Sequence, residues 1–172
     1  MPFMAITSFT GRWRFLSNFY PAKIKYRGIE YPTVEHFYVS QKIKDEQFVN
    51  SKNIPLIDCQ EMISKIKTPS EVKEFGKNLK LRKDWEIVKR SIMEWALTEK
   101  FKDPDLKKML IETGDEELIE GNYWHDVYWG VCNCQNCGER GENNLGKILM
   151  KIRSNIKGDK YEIIDFLLPG IN

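Results

Sequence analysis

Between Gly121 and Asn144 the sequence shows neither the helical nor the strand periodicity that its flanking segments carry. This segment is polar, aromatic and rich in glycine and cysteine. Irregular segments of such length are uncommon inside a compact domain, and those that occur are usually functional loops. Any fold for this chain must therefore hold a long ordered loop on a regular scaffold.

The chain has 172 residues, of which 41% are hydrophobic and 30% are charged. This composition is typical of globular proteins, and we expect a single domain over residues 1–172. No apolar run approaches the roughly 18 residues that cross a bilayer, so no membrane association is expected. The first ten residues lack a secretory signal pattern, and we expect a cytoplasmic protein. The net charge of +2 is low for a protein that mainly binds long polyanions.

Periodicity and turn residues predict an α+β fold, a mainly helical domain with a small antiparallel β element. Arg27-Gly28 lies between two strand-like segments and predicts a hairpin. Thr68-Pro69-Ser70-Glu71 has the pattern of a helix start with a capping box. The predicted strands are 23–26, 29–31, 118–120 and 161–168. The predicted helices are 34–48, a short one capped by Asp58 and ending at 66, 69–79, 85–100 after Asp84, 104–113 after Asp103, and 145–156.

The first predicted helix carries a carboxylate and an amine on one face. Glu35, Tyr38 and Lys42 recur at helical spacing and would project together. The face is either a partly solvated helix edge or the floor of a pocket. His36 is offset from it and, taken alone, is more often a structural histidine than a catalyst.

Asp126 lies among four aromatic rings within residues 124–130. Desolvation beside such rings raises the pKa of a carboxyl group and suits it to acid–base work. The alternative is that the rings anchor the loop while Asp126 caps a turn. Trp85, at a predicted helix start, is likewise either a hydrophobic anchor or a stacking platform for a planar ligand.

The segments 15–21 and 141–146 mix small polar side chains with glycine, proline or aromatic residues. They could line a pocket wall or offer amides to a ligand at a helix start. They could equally be a packed loop and a turn followed by an N-cap.

Cys132, Cys134 and Cys137 resemble part of a metal site. A clustered set of thiols without a secretory signal is more typical of metal binding than of disulfides. Structural zinc takes four ligands, so the fourth would be His125, Cys59 or water. No cofactor is expected to be required, and a bound zinc would hold the loop and take no part in catalysis.

Several short segments, taken in order, are similar to the YbiA-like, or NADAR, superfamily. The resemblance runs from about residue 9 to 153, which is most of the chain. The cysteine-rich stretch 132–137 departs from the simple glycine-rich loop of many members. The matching segments are Arg14–Phe19, Tyr31–His36 with Lys42, Leu81–Trp85, Met93 with Lys100-Phe101, Leu118–Glu120, Asp126 with Trp129-Gly130, Asn143–Gly146, and Leu149-Met150 with Arg153.

The resemblance implies an N-glycosidase acting on a small nucleotide-like substrate, an early riboflavin-pathway intermediate, with release of ribose 5-phosphate. The site it implies is Glu35, Trp85 and Asp126, with Lys42 near the reacting sugar carbon. We hypothesise that the two carboxylates share acid–base work, that Trp85 stacks the base, and that Lys42 contacts the sugar or attacks it. The expected substrate contacts are Arg14, Ser17, Asn18, His36, Arg82, Lys83, Trp129, Gly130, Asn143, Asn144 and Gly146.

Two alternatives stay open at the level of sequence. The first is a hydrolase that removes ADP-ribose from modified nucleobases, including guanine in nucleic acid. The second is a non-catalytic nucleic-acid-binding module in which the cysteines form part of a zinc knuckle. The sequence does not define an oligomeric state.

Overall fold

The computed structural model describes residues 4–158. Their contacts group them into two compact units, one of residues 18–100 and one of residues 4–17 with 101–158. The strand predicted at 161–168 lies outside the described residues. Within the described part of the chain, no helix is both long and apolar enough to cross a membrane. The single-domain expectation stays a prediction.

The unit of residues 18–100 begins with a hairpin of antiparallel strands β1, Pro21–Tyr26, and β2, Ile29–Thr33. The turn residues Arg27 and Gly28 both have positive φ, 48° and 80°. Two-residue hairpin turns of this kind match the twist of the flanking strands. The predicted hairpin is confirmed.

Helix α1, Val34–Ser40, follows β2 directly and is buried along its whole length. It starts where the Thr33 side chain accepts a hydrogen bond from the His36 amide, at 3.2 Å. It packs against β2 and against three further helices of the same unit, so all its sides are covered. A polar side chain on α1 is therefore buried, whichever way it points.

The prediction that this helix continues to residue 48 is wrong. Gln47–Val49 forms strand β3, which pairs with strand β4, Lys52–Ile54. The Gln47 side chain is buried and bonds to both backbone groups of Lys80, accepting at 2.8 Å and donating at 3.2 Å. These long-range bonds favour the extended conformation, and no local pattern reports them.

Three further helices complete this unit. Helix α3, Pro69–Phe75, has the predicted capping box, with Thr68 and Glu71 bonded reciprocally at 3.0 and 3.2 Å. Asp58 was predicted as the N-cap of the helix before α3. That helix, α2, Leu56–Ser64, instead starts directly after Pro55, so Asp58 lies in its first turn. The third helix is α4, Trp85–Lys100.

The second unit contains helices α5, Pro104–Glu112, and α6, Asn144–Lys157. Asp103 caps α5 as predicted, accepting bonds from two amides at 2.9 and 3.0 Å. Instead of a strand at 118–120 there is one parallel bridge between Ile6 and Leu118. A 3-10 helix, Gly11–Leu16, and two short parallel strands, β5, Gly121–Asn122, and β6, Val131–Cys132, also belong to this unit.

Replacing Thr68 with alanine should lower the free energy of unfolding by about 1 kcal/mol, because an N-cap hydrogen bond is lost. Ser70→Ala is the matched control, since Ser70 is exposed and lies on the same helix outside the capping box. Chemical denaturation of both variants measures the difference. Equal stabilities would show that the capping box contributes nothing.

Candidate active site

The predicted catalytic residues occur in both units. Glu35, Lys42 and Trp85 belong to the unit of residues 18–100, and Asp126 belongs to the other.

Glu35 is a buried carboxylate with 8% of its surface exposed, because it lies on the enclosed helix α1. Its amide donates to the carbonyl of Asn18, at 3.1 Å. Lys42 lies two residues beyond the end of α1, but its amide donates to the Val39 carbonyl at 3.1 Å and continues the turn. The half-buried Lys42 amine therefore stays close enough to Glu35 for the carboxylate to affect its titration.

The Lys42 amine has a lowered pKa. Desolvation is the main cause, and the charge of Lys73 acts in the same direction, while the Glu35 carboxylate opposes both. The amine lies 5.8 Å from the centre of the Tyr38 ring. A Cβ on Gly76 would lie 2.9 Å from Val39 and 3.5 Å from the amine, so glycine permits this close packing. A desolvated lysine of this kind is a better nucleophile than an exposed one.

Trp85, at the start of α4, is 6% exposed, and its ring centre lies 5.0 Å from that of Tyr38. The Arg82 amide donates to the Lys42 carbonyl at 2.8 Å, which ties the start of α4 to the lysine segment. The Arg82 guanidinium donates to both oxygens of Asp84, at 2.6 and 2.9 Å, and holds the pKa of Asp84 below its usual value.

The other predicted substrate contacts of this unit, Lys83 and Asn18, differ in exposure and in hydrogen bonding. Lys83 is exposed. Asn18 donates from its side-chain amide to the Met93 sulfur at 3.4 Å, and its buried Oδ1 accepts no hydrogen bond from the residues that the structure describes. That oxygen is a ready acceptor for a ligand donor.

His36 has both ring nitrogens engaged within the unit. Nε2 donates to the Ile66 carbonyl at 2.9 Å, and Nδ1 lies 2.8 Å from the Thr33 hydroxyl. Burial lowers its pKa, which favours the neutral ring. These contacts give His36 a structural role, linking α1 to the segment after α2.

Asp126 caps a turn in the loop of the second unit. Its Oδ1 accepts hydrogen bonds from the amides of Tyr128 and Trp129, at 3.2 and 2.8 Å. Buried Asn122 holds the Asp126 backbone, accepting from its amide at 3.2 Å and donating to its carbonyl at 2.7 Å. The half-buried Asp126 is therefore fixed through one oxygen, while Oδ2 accepts no hydrogen bond from the described residues.

Asn143 and Asn144 join this loop to the start of α6. The Asn143 side chain accepts from the Glu120 amide at 3.1 Å and donates to the Leu118 carbonyl at 2.9 Å. Asn144 donates from its side chain to the Tyr128 carbonyl at 2.9 Å. The side chains of these two predicted substrate contacts are therefore already hydrogen-bonded to backbone groups of the protein.

Two glycines of the predicted site are required by backbone packing. A Cβ on Gly130 would lie 2.1 Å from the Glu120 carbonyl oxygen, and one on Gly146 would lie 2.0 Å from that of Leu118. Such distances exclude any side chain at either position. The remaining predicted contacts of this unit are exposed Arg14, half-buried Ser17 and half-buried Trp129.

Of the two protein residues suggested as a fourth metal ligand, the structure brings His125 to the cysteines. One donor atom from each of His125, Cys132, Cys134 and Cys137 falls within 4.8 Å of all the others. Cys59 instead lies in an apolar cluster with Ile63, Val72 and other buried residues of its own unit.

Lys73 is a charged neighbour of Lys42 that sequence reasoning did not single out. It lies on α3, some thirty positions after Lys42, and its amine is 5.8 Å from the centre of the Phe19 ring. Its residue type and helical position resemble those of ordinary surface lysines. Only the folding of α3 against α1 brings it near Lys42.

Comparisons with known proteins agree with this fold. The chain is 38% identical over 146 residues to an N-glycosidase of Nostoc punctiforme, covering 82% of this chain and 84% of that protein. It is 34% identical over 170 residues to a chloroplastic riboflavin biosynthesis protein of Zea mays, covering 89% of this chain and 25% of that protein. The NMR structure of the E. coli protein YbiA matches with a TM-score of 0.73 and 30% identity, over 94% and 90% of the two chains.

The fold is thus the α+β fold of YbiA, and the similar chains include a named N-glycosidase. The model of the NADAR domain matches residues 7–157, and the chain belongs to this family.

The buried neutral His36 predicts a stability that depends on pH. Because its pKa is lowered on folding from the usual 6.5, the unfolded chain binds more protons at acidic pH. Its contribution is fully present above pH 6.5 and is lost as pH falls through the window between 6.5 and the lower folded value. NMR titration of the ring protons, with His36→Gln to assign the signal, should give a midpoint below 6.5. A midpoint at or above 6.5 would contradict the structural role.

Proposed function

We propose that this enzyme hydrolyses the C1–N bond of a ribosylaminopyrimidine phosphate, an early riboflavin-pathway intermediate, and releases ribose 5-phosphate. That it is a hydrolase of N-glycosyl bonds follows from its family and from the N-glycosidases it is similar to. The finer choice of substrate is supported by its similarity to a protein named for riboflavin biosynthesis.

The observation that carries this proposal is the half-buried Lys42 amine beside the buried Glu35 carboxylate. Cleavage of a sugar C1–N bond builds positive charge on the sugar. A carboxylate in a desolvated site stabilises that charge more strongly than one in water. Glu35 is such a carboxylate, and helix α1 fixes its position.

Two routes use these groups. In direct hydrolysis, water adds to C1 as the C1–N bond breaks, and carboxylates move a proton from the water to the departing nitrogen. In the covalent route, the neutral Lys42 amine bonds to C1, and the departing nitrogen takes the electron pair of the C1–N bond and the proton that the amine releases. The C1–O bond of the sugar ring then breaks, the ring oxygen takes a second proton from the lysine nitrogen, and the imine between C1 and Lys42 is hydrolysed by water to release the sugar and the free amine. The lowered pKa of Lys42 favours the second route, because a larger fraction of the amine is neutral.

The charged groups also suit the substrate. Lys73 lies near enough to Lys42 to lower its pKa, so positive charge is concentrated there. A 5′-phosphate would be attracted to this charge, whereas the guanidinium of Arg82 is already bonded to Asp84. Trp85 would stack the pyrimidine. The role of Asp126 as the second carboxylate is carried by the family resemblance, since Asp126 belongs to the other unit.

Glu35→Gln and Asp126→Asn should each lower kcat by roughly 10²-fold or more, because each removes a group that transfers or stabilises charge. Asparagine at 126 keeps an Oδ1 acceptor for the Tyr128 and Trp129 amides, so the loop turn is preserved. Glu94→Gln is the matched control for Glu35, since Glu94 is a buried carboxylate on α4 of the same unit.

The assay is mass-spectrometric turnover on two substrates offered in parallel, a ribosylaminopyrimidine 5′-phosphate and a guanine-ADP-ribosylated oligonucleotide. Ribose 5-phosphate from the first supports the proposal. ADP-ribose from the second alone would replace it with reversal of nucleobase modification. Salt-dependent oligonucleotide binding without turnover would leave a binding module. Near-wild-type turnover by both carboxylate variants would exclude the assigned residues.

Lys42 tests the covalent route separately. Borohydride added during turnover should reduce the imine and leave a sugar adduct on Lys42, which peptide mass spectrometry locates. Lys42→Arg keeps the charge and should abolish the adduct, while Lys77→Ala, at an exposed lysine paired with Glu74, should leave it unchanged. Full activity in Lys42→Ala would rule out the covalent route.

A further inference from the structure

We propose that His125, Cys132, Cys134 and Cys137 bind a structural zinc ion that clamps the loop carrying Asp126. The donor atoms of these four side chains all lie within 4.8 Å of one another. The histidine Nδ1 is 3.4 Å from the Cys134 sulfur and 3.3 Å from the Cys137 sulfur. Four tetrahedral donors around zinc are roughly 3.6–3.8 Å apart, given Zn–S bonds of about 2.3 Å. The cluster therefore needs only small side-chain adjustments to reach this geometry.

The backbone between Cys134 and Gly138, here called the cysteine knuckle, already forms a hydrogen-bonded turn that can hold two metal-binding thiols. After Cys134 the chain makes a tight turn in which the amides of Cys137 and Gly138 both donate to the Cys134 carbonyl, at 3.1 and 3.0 Å. Gly138 has a φ of +60°, which glycine adopts without strain. The Arg140 guanidinium donates to the Cys137 carbonyl at 2.6 Å and to that of Asn136 at 3.1 Å. The turn is therefore ordered by the protein itself.

Cys132 enters the cluster from strand β6 and is fully buried. Its amide donates to the Arg140 carbonyl at 2.9 Å, which joins strand β6 to the segment that follows the cysteine knuckle. His125 has a φ of +66°, a conformation that costs a histidine free energy and that persists only where the surroundings enforce it. A metal–Nδ1 bond would supply that enforcement.

The donor set selects the metal and its role. Three sulfurs and one imidazole in tetrahedral arrangement favour zinc over magnesium or calcium, which take oxygen ligands. Four protein ligands leave no position for water or substrate, so the ion is structural. It joins His125 to Cys132 and closes the segment between them, which contains Asp126 and Trp129.

The clamp therefore fixes Asp126 beside a metal ligand. Its effect on catalysis rests on the function proposed for Asp126, whereas the metal site itself does not. Removing the ion should loosen the loop and lower turnover, while helices α5 and α6 keep their own backbone bonds.

Metal analysis of full-length protein purified under reducing conditions without chelator tests the site. We expect equimolar zinc, and Co²⁺ added to the metal-free protein should give thiolate-to-cobalt charge-transfer absorption and strong visible bands. Cys134→Ser and Cys137→Ser should lose both, and Cys59→Ala should keep both, because Cys59 lies in a separate apolar cluster.

The wild-type spectrum alone decides the outcome if a variant fails to fold. Metal-free protein with no cobalt–thiolate absorption would overturn the proposal, as would an intact mass two hydrogens lighter, which indicates a disulfide. Equimolar zinc without turnover would support the metal site and refute only the proposed substrate. Turnover unchanged after zinc removal would refute the clamp on Asp126.

Discussion

The second unit depends on hydrogen bonds that asparagine side chains make to irregular backbone. Buried backbone amides and carbonyls need hydrogen-bond partners. A loop without neighbouring strands must find these partners among side chains. Asn122 holds the Asp126 backbone, Asn143 bridges the 118–120 segment, and Asn144 binds the Tyr128 carbonyl. An Asn side chain both donates and accepts, so it can replace a missing neighbour strand. The proposed zinc would add a fourth restraint in the middle of the same loop, between Asn122 and Asn143.

The first unit is organised around a helix with no solvated face. Because α1 is enclosed by β2 and three helices, Glu35 is removed from water. Lys42, two residues after the C-terminal end of α1, lies close enough to be affected by the Glu35 charge. The Glu35 carboxylate there opposes the lowering of the Lys42 pKa that desolvation causes. The same enclosure makes His36 structural, since both of its ring nitrogens find partners in the protein.

Sequence patterns correctly predicted the caps and the turn whose hydrogen bonds or backbone angles involve only neighbouring residues. The capping box at Thr68, the Asp103 cap and the Arg27-Gly28 turn each act within four residues, and all three are confirmed. The extension of α1 to residue 48 was wrong because Gln47 bonds to Lys80, thirty-three positions away. The same limit applies to the candidate site: residue types suggested Glu35, Lys42 and the cysteines as candidates, but they did not indicate the influence of Lys73 on Lys42.

The sequence by itself determined the α+β class and most helix starts, and it indicated candidate site residues, because caps, turns and periodicity are encoded in neighbouring residues. The tertiary structure decided which candidates are available. It engaged His36, Asn143 and Arg82 in bonds within the protein, and it selected His125 over Cys59 as the neighbour of the cysteines. Burial and hydrogen-bond partners come from residues distant in the chain, so no local pattern records them.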